Sequence, residues 1–130
     1  MALDVHLVTP EREVWSGQAT MVIARGVEGE VGILTGHAPL LVRLAIGPLR
    51  IQHDAEEVSS VVDGGFLHVT TTEGVTRVDV LAPSASLESE IDVARERRRV
   101  AELQQQIAEQ DDAEAHTELA MALARVDLRG

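Results

Sequence analysis

The chain has 130 residues, 45% of them apolar and 25% charged, which suits one ordinary domain or a small domain with an appendage and excludes a wholly disordered chain. A formal net charge of −11 without a single lysine repels phosphate backbones and anionic lipid surfaces, and Trp15 and Phe66 are the only large aromatic rings, so stacking platforms for bases or sugars are missing. No cysteine is present, so neither disulfides nor thiolate metal sites contribute.

Met1 to Thr9 alternates polar and apolar residues where a secretory leader would carry a basic region and an apolar run. No stretch approaches the roughly 18 consecutive apolar residues of a membrane span, so a soluble protein is expected, with any membrane link made through a partner. From Leu3 to Leu81 short β-branched runs are broken by glycine and proline, the pattern of an antiparallel sandwich. Leu3, Val5 and Leu7 alternate with Asp4 and His6. Further strands are predicted at 14–16, 20–27, 32–34, 40–44, 49–53, 58–62, 66–71 and 75–81, about nine in all. The glycines between them are expected to form turns.

After Pro83 the residues become Ala, Glu, Arg, Gln and Leu, strong helix formers, which places a boundary between a β-sandwich domain over 1–84 and an antiparallel two-helix hairpin over 85–130. Ser86 is the expected N-cap of the first helix, which runs to about Glu109 with Val100, Leu103 and Ile107 as its stripe. Ile91, Ala94, Ala101 and Ala108 form a second, small-residue face. Asp111 followed by Glu114 predicts a capped start for the second helix, with Leu119, Leu123 and Val126 as its apolar stripe. Neither helix buries much alone, so the hairpin needs the sandwich or a partner, and weak docking is what allows an element to occupy two positions.

Catalytic patterns are missing. There is no Gly-x-Ser-x-Gly, and the segment from Gly26 to Gly32 carries two acids and no lysine, so it cradles no phosphate. His6, His37, His53, His68 and His116 lack metal-ligand spacing, and no metal is expected. An esterase-like enzyme on a sandwich is thereby disfavoured against a binding or regulatory subunit.

Four segments carry a more specific signal: Val8-Thr9-Pro10-Glu11; Gly29-Glu30-Val31-Gly32-Ile33-Leu34-Thr35-Gly36-His37-Ala38-Pro39-Leu40; Val62-Asp63-Gly64-Gly65-Phe66-Leu67-His68-Val69; and Ile91-Asp92. In order and spacing they resemble the epsilon subunits of F-type rotary ATP synthases over essentially the whole chain. The resemblance implies a bacterial, non-catalytic central-stalk subunit, peripheral to the cell membrane on its cytoplasmic face. It would link the gamma subunit to the ring of c subunits, couple proton-driven rotation to ATP synthesis, and restrain ATP hydrolysis through the hairpin. On this reading Glu30 and His37 contact the c ring, with Thr35 standing where the family commonly has proline. Arg95, Arg97, Arg98 and Arg99 would meet an acidic surface on the catalytic β subunit, the competing explanation being a solvated helix face. The family's nucleotide pattern is matched by Ile91, Asp92 and Arg95 and broken by Glu96, Glu102, Leu123 and Asp127. The implied cofactor is therefore none, with ATP as a weak regulatory ligand, and a nucleotide-sensing module is the alternative function.

Overall fold

The computed structural model describes residues 2–129. A period of two builds the sandwich. In β1 (Leu3–Val8) the side chains of Leu3, Val5 and Leu7 point inward and are fully buried, while Asp4 and His6 face outward. The same alternation places Leu67 and Val69 of β7 (Phe66–Thr72) and Val78 and Val80 of β8 (Val75–Leu81) in the core. With β2 (Glu13–Ala19) and the first part of β5 (Leu40–His53), these form one sheet in the order β2-β1-β8-β7-β5. Only the β1 and β8 pair in it is parallel. The facing sheet contains β4 (Gly29–Leu34), β3 (Met21–Gly26), the second part of β5, β6 (Glu56–Asp63) and β9 (Ala85–Leu87). It contributes Val22, Ala24, Ile33, Leu49, Ile51 and Val62 to the same core.

Two of the expected strands, 40–44 and 49–53, are one. β5 pairs with β7 through Leu40 to Arg43 and with β6 from Ile46 onward, so it turns the corner between the sheets without ending. Gly47 and Pro48 read as a break but lie where the pairing with β3 shifts register, a place that tolerates a proline. The ninth strand is one the composition did not signal. Ala85 to Leu87 pairs with the edge of β6, so Ser86 is a strand residue opposite Val61 and caps no helix.

After a 3₁₀ turn at Glu88–Glu90, helix α1 covers Val93–Glu109, and its N-cap is Asp92, whose carboxylate accepts the Arg95 N–H at 3.2 Å. Helix α2 covers Ala113–Arg129 and is capped by Asp112, which accepts the Glu114 N–H at 3.0 Å, one residue beyond the expected Asp111. Val100, Leu103 and Ile107 pack against Ala115, Leu119 and Ala122. Of the predicted small-residue face, Ile91, just before α1, is buried, whereas Ala94, Ala101 and Ala108 are exposed. Leu123 is 42% exposed, contrary to its expected place in the stripe of α2. The reason is that α2 serves two neighbours: one side meets α1, and another places Met121, Ala124 and Leu128 against Val61 and Ile46 of the second sheet and Ile91 of the segment before α1. Because Val62 faces the sandwich core and Val61 faces α2, consecutive residues of β6 are buried, with the Ser60 hydroxyl satisfied by the Leu49 carbonyl at 3.2 Å. The docking core of Val61, Ile91 and Met121 is small, on the order of 5 kcal/mol gross at ordinary burial values.

An ion pair and a hydrogen bond pin the junction between sandwich and hairpin. Arg12, from the β1–β2 turn, donates to both Glu90 carboxylate oxygens at 2.9 and 2.8 Å, and Arg129 at the end of α2 donates to the Glu88 carbonyl at 2.8 Å. The Leu87 N–H, 2.9 Å from Glu90 Oε1, and then the Arg12 guanidinium hold the Glu90 carboxyl below its ordinary range. A depressed folded pKa stabilises the fold above the unfolded value of about 4.3 and stops doing so as pH falls through the lower folded value. Glu90→Gln is therefore expected to flatten the acid limb of a plot of Tm against pH. An acid limb identical to wild type would contradict the clasp.

Candidate partner-binding surfaces

The parity that fills the core also exposes apolar side chains. With Leu67 inward Phe66 faces out, and with Val80 inward so does Leu81; the two are cross-strand partners, 48% and 54% exposed. The row continues to Arg43 of β5 on one side and Val8 of β1 on the other. Leu41, 65% exposed, stands one row away opposite His68. Beside Phe66 and Leu81, a shallow and almost wholly apolar depression is finished by Thr9, Pro10, Gly65 and Pro83. In a chain of net charge −11 such a patch is an interaction surface in want of a partner. It depends on Gly65, whose φ is +94° and whose Cβ, if present, would lie 2.1 Å from the Leu81 carbonyl oxygen.

Glu30 is exposed at the start of β4, beside a groove floored by Val27, Leu40, Leu41 and Val42. His37 lies beyond the other end of β4, in the loop 35–39, where its N–H donates to the Leu34 carbonyl at 3.1 Å. About 13 Å of strand separates Glu30 from Leu34, so these two residues occupy different parts of the surface.

The hairpin arginines divide into two groups. Arg95, Arg98 and Arg99 line a cleft between α1 and α2 together with Glu96, Glu102 and Arg125, whereas Arg97 is exposed outside it. Arg99 pairs with Glu118 at 2.6 Å and Glu102 at 3.5 Å, and Arg125 with Glu96 at 3.5 Å. Arg125 Nε is buried and has no hydrogen-bond partner among the described residues. Burial raises the Asp63 carboxyl above its usual range, an effect that the Arg125 charge partly offsets. Asp92 spends one carboxylate oxygen on capping α1, a structural role beside the one expected for it. The nucleotide pattern does not align with Arg125, and only the folded hairpin brings that residue of α2 into the same cleft as Arg95.

Each remaining histidine has a local setting. His6 Nε2 and Nδ1 lie 3.1 Å from Asp4 and Glu13, His53 hydrogen-bonds the Gln18 carbonyl and stacks edge-on against Trp15, and His116 pairs with Asp111. His68 stands exposed on the outer face of β7.

Residues 2–88 match the family model described as the ATP synthase delta/epsilon chain, beta-sandwich domain. The ATP synthase epsilon chain of Thermobifida fusca (strain YX) is 43% identical over 127 residues, spanning 95% of this chain and 89% of that one. The ATP synthase epsilon chain of Brevibacillus brevis is 42% identical over 131 residues, spanning 97% and 96%. Among solved structures, a chain in the Euglena gracilis mitochondrial ATP synthase (OSCP/F1/c-ring) superposes with a TM-score of 0.77 at 22% identity, covering 98% of this chain and 79% of that one. A chain in the Tetrahymena thermophila mitochondrial central stalk and c ring gives a TM-score of 0.58 at 16% identity, covering 100% and 98%, so the sandwich-plus-hairpin fold recurs in both.

Proposed function

The chain belongs to the ATP synthase epsilon family, whose members are non-catalytic subunits of that complex, and on this footing we propose that it is a central-stalk coupling subunit that joins gamma to the c ring and restrains ATP hydrolysis. The exposed apolar row of Phe66 and Leu81, with Leu41 beside it, carries the reading: it is the surface a permanent rotor partner would cover, and we assign it to gamma. The Euglena and Tetrahymena neighbours come from assemblies described with a c ring, which supports placing the surfaces around Glu30 and His37 against that ring. The protein then sits at the membrane only through the complex, on the cytoplasmic face in a bacterium, and no described helix is long and apolar enough to cross it.

The hairpin's part follows from its weak attachment. Apart from Val93, α1 buries its apolar side chains against α2, so undocking the pair costs the small contact around Met121 and the bonds made by Arg12 and Arg129 at the junction. Once undocked, Arg95, Arg97, Arg98 and Arg99 offer a basic surface that suits acidic groups on the catalytic β subunit. ATP fits this scheme as a weak regulatory ligand held at Asp92 and Arg95, with Arg98 and Arg125 lining the same cleft. Changing all four α1 arginines to glutamine is expected to raise ATP hydrolysis by the reconstituted complex several-fold, to leave assembly intact, and to abolish binding of labelled ATP by the isolated chain. Hydrolysis at the wild-type rate would remove the inhibitory role, and undiminished ATP binding would remove the nucleotide role.

A further inference from the structure

The loop 35–39 is tied to the β7–β8 turn by two hydroxyls. Thr76 is fully buried at the start of β8 and stands opposite Thr71 of β7. Its Oγ1 accepts the Gly36 N–H at 2.8 Å, Thr71 Oγ1 donates to the His37 carbonyl at 3.1 Å, and the two hydroxyl oxygens are 3.2 Å apart. One proton arrangement satisfies all three contacts. The hydroxyl proton of Thr71 is committed to His37, so Thr76 must donate to Thr71 and use its own lone pair for Gly36. The result is a directed relay from one loop amide, through two side chains, to the next residue's carbonyl. Gly36 has φ of +85°, a conformation that glycine adopts freely and that would strain any residue with a side chain.

Held in this way, the half-buried His37 ring turns Nδ1 onto the Ala38 carbonyl at 2.7 Å, which fixes the proton on Nδ1 and leaves Nε2 as the nitrogen that meets a partner.

We propose that Thr71 and Thr76 are positioning residues for the partner-facing loop, and that their hydroxyl relay presents His37 with Nε2 ready to accept a hydrogen bond from a donor on the partner. The identity of that partner as the c ring rests on the function proposed above; the positioning rests on this chain alone. The relay is cooperative, since removing the Thr76 hydroxyl takes the acceptor from Gly36 and the donor from Thr71 together.

The test is amide hydrogen exchange on the full chain, with ¹⁵N shifts of His37 and binding to detergent-solubilised c ring. Thr76→Val keeps the shape and removes the hydroxyl. It is expected to speed exchange at Gly36 about tenfold, the loss of one buried hydrogen bond, while Leu67, Val69 and Val78 in the same sheet keep wild-type protection. The Nδ1-protonated signature of His37 should weaken, affinity for the c ring should fall as far as in His37→Ala, and Thr76→Ser should restore all three. Unchanged exchange at Gly36 with an unchanged His37 spectrum would overturn the positioning role. A loosened loop with unchanged ring binding would uphold the positioning and overturn the assignment of this loop to the c ring.

Discussion

Replacing Phe66 and Leu81 together with glutamate is expected to lower affinity for gamma by at least about 100-fold while leaving the far-ultraviolet spectrum and Tm close to wild type. Both side chains face outward and are about half exposed, so the free chain loses little core burial when they change. Under the proposed function an apolar partner surface covers them in the complex. There each substitution forfeits on the order of 2 kcal/mol of burial and leaves a carboxylate to be desolvated. Titration calorimetry against purified gamma reads the effect directly. Wild-type affinity in the double variant would move the gamma interface elsewhere, and a collapsed Tm would mean that the patch belongs to the core.

Gly65→Ala tests the scaffold beneath that patch. A methyl group at residue 65 would sit 2.1 Å from the Leu81 carbonyl oxygen and 2.8 Å from Ala82 Cα, both backbone atoms that cannot rotate aside, and φ of +94° is itself unfavourable for alanine. The chain there must separate, which also breaks the bond from the Leu44 N–H to the Gly65 carbonyl at 2.8 Å. Denaturant unfolding is expected to show a loss of about 3 kcal/mol or more. Gly64→Ala, with φ of +72° and its nearest contact at 3.4 Å, is expected to cost about 1 kcal/mol. Equal stability of the two variants would contradict the close approach at residue 65.

Much of this was legible because strands obey parity. The inward Leu3, Val5 and Leu7, Leu67 and Val69, and Val78 and Val80 can be read from alternation alone, and the same alternation assigns Phe66 and Leu81 to the outside. The exposed apolar patch was thus present in the sequence as apolar residues on the outward parity, although the rows they share with Arg43 and Val8 required the sheet order.

Where local signals competed with tertiary pairing, the local signals lost. Ser86 is a good cap by composition, yet the open edge of β6 takes Ala85 to Leu87 as a strand and leaves Asp92 to cap α1. Gly47 and Pro48 look like a break, yet the corner between two sheets absorbs them. Leu123 fits a single stripe, but α2 packs on two neighbours and presents Met121 and Ala122 instead. The links from Arg12 to Glu90 and from Thr76 to Gly36 join residues 78 and 40 apart, and nothing local predicts them.

A stalk subunit seated on gamma binds it directly. Co-purification of the full chain with gamma from the same organism, followed by ATPase assay of the assembled complex with and without residues 93–130, tests this. The expected result is a stable one-to-one complex and faster hydrolysis once the hairpin is removed. Failure of the two proteins to associate would contradict it.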